Sequence, residues 1–146
     1  YQKDSSFSIS IPDYLVEVSD LNAQASLQFK NTFNETYLMV VAEEKLETGH
    51  ATMDLLEDHF KSNLLQKGGL LTKETECKVN NFQSVQNEVE WMVDGEPMAY
   101  VVTFIDTPRT LYKVYCWTLT SNKEYLTHFK QATDSFLVIN NYHSKI

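Results

Sequence analysis

Val85-Gln86-Asn87-Glu88-Val89-Glu90-Trp91-Met92-Val93-Asp94-Gly95 has the period of a long, half-buried β-strand running into a turn. Val85, Asn87, Val89, Trp91 and Val93 fall on one side of an extended chain, and Gln86, Glu88 and Glu90 on the other. Asp94-Gly95 suits a tight hairpin, because the favoured two-residue turns need positive φ. Met98 to Ile105 then returns as a β-branched and aromatic strand. Asp106-Thr107-Pro108-Arg109 turns the chain again, and Leu111 to Thr120 completes a three-strand meander.

Upstream, Leu71 to Val79 reads as a strand that turns at Asn80-Asn81. Before it, the period changes. Met53, Leu56, Phe60 and Leu64 share one helical stripe, opposite Asp54, Glu57, Asp58 and Lys61, in a helix predicted to open near Thr48-Gly49. Gly68-Gly69 ends it. Phe7-Ser8-Ile9-Ser10-Ile11 alternates as a half-buried strand that Pro12 stops, and Tyr14 to Val18 is a second, shorter one. Ala25 to Phe29 alternates again before an Asn31–Asn34 turn, and Thr36 to Glu44 is nearly continuous apolar sequence, as in a central strand. At the far end Ser121 and Glu124 have capping-box spacing, Tyr125, Phe129, Ala132 and Phe136 form an apolar stripe, and Leu137 to Ile139 closes in extended form. The order is strands, helix, meander, helix. It predicts a single α+β domain over residues 1–146, an antiparallel β-sheet flanked by helices in an α/β/α sandwich.

Composition agrees with a packed domain. The 146 residues are 42% hydrophobic and 12% aromatic, with four Gly and three Pro, which excludes disordered and fibrous classes. A formal charge of −8 repels phosphate backbones and argues against nucleic-acid binding. The longest uncharged, mostly apolar run, around Pro97–Ile105, is too short to span a bilayer, and no amphipathic segment has a Lys/Arg-rich face. Direct membrane insertion by this segment is therefore not expected. The chain opens on Tyr1, consistent with a mature form whose leader has been removed, or with a trimmed chain.

Phe7 to Pro12, then Leu21-Asn22 before Ala25-Ser26-Leu27-Gln28-Phe29, then the strand to Glu43-Glu44-Lys45, a helix, a long meander and a closing helix with Phe136, resemble the PsbP-like superfamily. That group contains thylakoid-lumen extrinsic proteins of photosystem II, a Ran-binding import factor and exported bacterial proteins, often lipoproteins. The resemblance covers residues 7–139 and rests on structural positions, so it implies an α/β/α sandwich more than an activity. It also implies an exported protein, periplasmic or membrane-anchored through a segment upstream of Tyr1. None of the metal or partner sites of the photosynthetic members has matching residues here. The fold-level competitor is an NTF2-like cone, whose helices come first.

Few residues invite chemistry. His50, His59, His128 and His143 lack metal-ligand spacing, and His59 and His128 sit beside the two helical stripes, where surface histidines are the ordinary reading. Glu43, Glu44, Glu47, Asp54, Glu57 and Asp58 form the densest acidic stretch, but a calcium site needs 6–8 converging oxygens, and a solvated face accounts for them better. Cys77 and Cys116 sit in strands with no histidine nearby in sequence, and buried free thiols are favoured over a disulfide. Phosphate-loop, dinucleotide and nucleophile-elbow motifs are absent, so no catalytic, metal or cofactor site is assigned. Asn34-Glu35-Thr36 fits a glycosylation acceptor. The aromatics carry more interest. Trp91, Tyr100, Tyr112, Tyr115 and Trp117 lie in meander strands, most of them as sheet core, with a few expected to border a groove for a partner or ligand. The favoured function is a non-catalytic binding or accessory module that holds another protein through a sheet edge, an aromatic groove or a loop. The alternative is a small-molecule-binding or enzymatic domain with a pocket between sheet and helix.

Overall fold

The structure is a computed structural model and describes residues 2–3, 7–45 and 53–139. Its centre is a seven-stranded antiparallel sheet in which β3 (Val16–Glu17), β4 (Leu27–Asn31), β5 (Thr36–Glu44), β9 (Thr110–Leu119), β8 (Glu96–Asp106), β7 (Phe82–Val93) and β6 (Leu70–Val79) follow one another. Three two-residue strands, β1 (Gln2–Lys3), β2 (Phe7–Ser8) and β10 (Leu137–Val138), pair in a separate small sheet. The meander is the long one expected from Val85 onward. Asp94 and Gly95 both have positive φ, 51° and 82°, as do Asn80 and Asn81 at 46° and 73°, so both hairpins close with two-residue turns. Within the seven-stranded sheet the non-sequential neighbour relation is β5 with β9, which brings Thr36–Glu44 beside Thr110–Thr118.

Each face of the sheet carries one helix. α1 (Met53–Gln66) lays Met53, Leu56 and Phe60 against Val102, Phe104 and Leu111. α2 (Tyr125–Asp134) buries Phe129 and Ala132 in the larger cluster, with Phe7, Ile9, Leu38, Val114, Cys116 and Phe136. Because alternate residues face opposite ways, Phe104 and Ile105 belong to different clusters. Polar groups hold α1 in place. Asn87 Nδ2 donates to Glu57 Oε2 at 3.3 Å, and Lys61 bridges to Glu74 at 2.6 Å. The helix ends at Gly68, whose φ of +81° is a left-handed C-terminal conformation. Gly69 follows because a Cβ there would lie 2.1 Å from Leu64 Cδ1.

Several expectations are corrected. Ser121 and Glu124 do not form a capping box. Residues Thr120–Asn122 make a 3₁₀ turn, Glu124 caps α2 without a side-chain bond, and Asn122 Nδ2 instead donates to the Asn34 carbonyl at 3.2 Å. The Phe7–Ile11 strand shrinks to Phe7–Ser8, since Ser10 N donates to Ser135 Oγ at 2.8 Å and leaves the ladder, although Ile9 stays buried. Tyr14–Val18 shrinks to Val16–Glu17. Cys77 and Cys116 are free, and both face the α2 side. They stand three strand spacings apart, about 14 Å across the sheet before the further offset along the strands, far beyond disulfide reach. The predicted helix start at Thr48-Gly49, together with Glu47, His50 and His143, lies outside the described residues.

Candidate functional site

The expected aromatics divide by face. Tyr112 lies on the α2 side at 4% exposure, edge-on to Phe7 at 5.4 Å and tilted against Phe136 at 4.9 Å, so it belongs to the core. Its side follows from parity, since 112 and 115 differ by an odd number in one strand. The other four share the α1 side. Tyr115 sits partly beneath α1, against the Val102–Phe104–Leu111 cluster. Trp91, Tyr100 and Trp117 lie beyond it and are half-buried.

Register builds these three into a row. Trp117 is the cross-strand partner of Tyr100 on β8 and of Tyr37 on β5. Its indole stacks on Tyr100 at 5.4 Å and 19°, and on Tyr37 at 5.2 Å and 13°. Trp91, one diagonal further on β7, tilts against Tyr100 at 6.2 Å. Four rings thus run side by side across four strands, and each stays partly open to solvent. Burial pushes the Tyr100 and Tyr115 phenols up to about 12, so they remain neutral hydrogen-bonding groups at physiological pH. Tyr37 was not singled out among the aromatics, because it hides in the apolar run Tyr37–Val41.

Four residues before Tyr37, the turn between β4 and β5 presents Phe33 at 97% exposure. The turn is not loose. Asn31 Oδ1 accepts from the Phe33 and Asn34 amides at 2.9 and 3.2 Å, Asn34 Nδ2 donates to the Tyr125 hydroxyl at 3.2 Å, and Thr36 Oγ1 donates to Asn34 Oδ1 at 2.6 Å. The Asn34-Glu35-Thr36 acceptor is therefore occupied by structural bonds. Glu35 turns the chain with φ of +52°. A large ring is held out in water by a braced loop.

The remaining candidates for chemistry are accounted for. His128 Nδ1 bonds the Tyr14 hydroxyl at 3.0 Å, and the two rings, with Tyr125, form one aromatic group. Burial pushes the Cys116 thiol well up, and the Cys77 thiol up as well, which removes thiolate character. Among the described residues no group of three His, Cys, Asp or Glu could hold a metal ion. Glu43 pairs with Lys113 at 3.3 Å, and Glu57 with Asn87 and Lys61. No described helix is long and apolar enough to cross a membrane. Between α1 and β5, next to Trp91, lies a slot of about 550 Å³.

The fold is PsbP-like. The cyanobacterial PsbP of Synechocystis aligns with a TM-score of 0.68 over 94% of this chain and 89% of its own, at 14% identity. LpqN of Mycobacterium tuberculosis, involved in cell envelope biogenesis, aligns with a TM-score of 0.73 over 92% and 83%, at 8% identity. A protein of unknown function from Pseudomonas aeruginosa aligns at 0.58 over 96% and 87%, with 15% identity. No protein-family model matches the chain. No curated protein matches it in sequence.

Proposed function

We propose that this PsbP-like α/β/α sandwich is a non-catalytic binding module that holds another protein against the Tyr37–Trp117–Tyr100–Trp91 row, with Phe33 as its anchor. The observation that carries the proposal is the half-exposed four-ring row, with a fully exposed Phe33 on the braced turn that leads into β5. Aromatic side chains concentrate binding energy at protein interfaces, and a pre-formed loop avoids the entropic cost of ordering on contact. The sheet edge is the weaker route. Outer strand β6 alternates Lys73, Glu74, Glu76 and Lys78 and carries a bulge between Leu71 and Lys73, devices that discourage strand addition. A charge of −8 favours a partner whose apolar contact is ringed by basic residues. The cell-envelope role of LpqN supports an exported setting, periplasmic or anchored at a membrane by a segment outside this sequence.

Affinity capture of the tagged full-length protein from its native cells, with crosslinking and mass spectrometry, tests the proposal against a Phe33→Ser/Trp117→Ser double variant. One recurrent protein, crosslinked around the row and at least about tenfold depleted with the variant, is the expected result. Equal recovery by a folded variant, or crosslinks concentrated on the α2 side, contradicts it.

A further inference from the structure

His59, Asn63 and Lys67 are spaced by four, so they form one line along and just past α1, and all three border the slot between α1 and β5. Leu56, Phe60 and Leu64, also spaced by four, lie one step round the helix and make the slot's inner wall. Its floor is Met39, Val41, Phe104 and Tyr115, contributed by β5, β8 and β9. The opposite wall carries Asn22 and Gln24. The slot therefore has an apolar interior and polar lips.

Both walls are fixed. Gln28, only 8% exposed, accepts from the Leu21 and Asn22 amides at 2.7 and 3.0 Å and donates to the Asn22 carbonyl at 2.9 Å. Asn22 Oδ1 then accepts from the Gln24 amide at 2.8 Å. On the other side, the bonds of Glu57 and Lys61 to Asn87 and Glu74 tie α1 toward β6 and β7, which leaves its β5 flank open. From Leu56 to Lys67 is eleven residues, so the slot is about 16 Å long at the helical rise of 1.5 Å.

The charges are placed unevenly. Although the chain carries −8, the charged residues of the lining are Lys67, Lys113 and Glu43. Glu43 neutralises Lys113 at 3.3 Å. Lys67 has no ion-pair partner among the described residues and lies over the Trp91 ring at 5.8 Å. One uncompensated cation stands at one end of a long, apolar-floored cavity.

We propose that this slot binds a free single-chain amphiphile with an anionic head. Its chain lies along Met39, Phe60, Leu64 and Tyr115, and its head meets Lys67, with Asn63 and His59 offering hydrogen bonds at the lip. A volume of about 550 Å³ lies within the roughly 300–1,000 Å³ of small-molecule sites. The site is separate from the protein-docking row, although Trp91 borders both.

The test is titration of decanoate and its shorter and longer homologues into the full chain, followed by calorimetry and amide NMR. Saturable one-to-one binding is expected, with shifts confined to Asn22–Gln24, β5 and α1, and affinity rising with chain length before it levels off. Lys67→Met, a surface change that leaves folding intact, weakens decanoate about tenfold and leaves decanol unchanged. Met39→Trp fills the floor and abolishes both, and its fold is checked by circular dichroism. Absence of saturation, shifts outside the slot, or equal binding of decanoate by Lys67→Met overturns the proposal. Sedimentation with decanoate-containing vesicles without binding to the free acid overturns it in favour of a bilayer surface.

Discussion

The Trp117 indole lies flat against the Tyr100 ring across the β8–β9 pair, centroids 5.4 Å apart and planes 19° from parallel, while both rings stay partly in water. Such stacking contributes about 0.5–1.5 kcal/mol beyond area burial. A ring kept half-exposed contributes less to folding than a core ring does. Trp117→Ala is therefore expected to cost about 1–2 kcal/mol in urea unfolding, against about 3–5 kcal/mol for Phe104→Ala, whose side chain is 1% exposed. Equal losses would make the row ordinary core.

Glu57 carries a pH signature. Burial chiefly, and then its contact with Glu74, pushes its carboxyl above the usual range. A carboxyl raised in the folded state binds its proton more tightly there than when unfolded. Its contribution therefore weakens the fold as pH rises from the unfolded value through the raised one. Asn87 Oδ1 is buried without a hydrogen-bond partner, and an amide at position 57 can donate to it. Glu57→Gln is expected to stabilise the protein by about 1 kcal/mol above pH 7, with the gain fading toward pH 4. Thermal melts across that range would show a pH-independent difference if the idea fails.

The two thiols should respond differently to a thiol reagent. Cys116 is 0% exposed, within hydrogen-bonding reach of Thr133, and both burial effects raise the thiols. Native protein is expected to label slowly at half-buried Cys77 and not at Cys116, and denatured protein at both without prior reduction. Recovery of fewer than two thiols in denaturant would point to a disulfide that the strand order forbids.

Gly69 tests the end of α1. A methyl there meets Leu64 Cδ1 at 2.1 Å, and Leu64, 1% exposed, has little room to yield. Gly69→Ala should destabilise by about 1–3 kcal/mol in chemical denaturation, as overpacking does. A neutral change would mean that the α1 terminus shifts freely.

Local pattern carried much of the fold. The period-two run from Val85, the Asp94-Gly95 and Asn80-Asn81 turns and the Met53–Leu64 stripe each encode their own geometry, and each appears at or within a few residues of its expected place. Parity alone separates Tyr112 from Tyr115 and Trp117. The rest depends on long-range packing. Tyr37 joins Trp117 because β5 pairs with β9, strands some seventy residues apart, and no local periodicity reveals that neighbour. The Asn31–Asn34 turn is legible, but the presentation of Phe33 on it follows from the Asn31 and Tyr125 bonds that hold the turn, which no local pattern reveals. The slot is hidden for the same reason, since one wall exists only when Gln28 folds back on Leu21 and Asn22.

The most direct measurement places a photo-crosslinking residue at Phe33, Tyr37 or Trp117, and at the exposed controls Leu55 and Leu137, in the full-length protein in its own cells. Docking at the aromatic row requires one discrete protein adduct from the first three positions, lost on adding Tyr100→Ser, and none from the controls. Adducts of equal yield at all five positions, or from the controls alone, would contradict it.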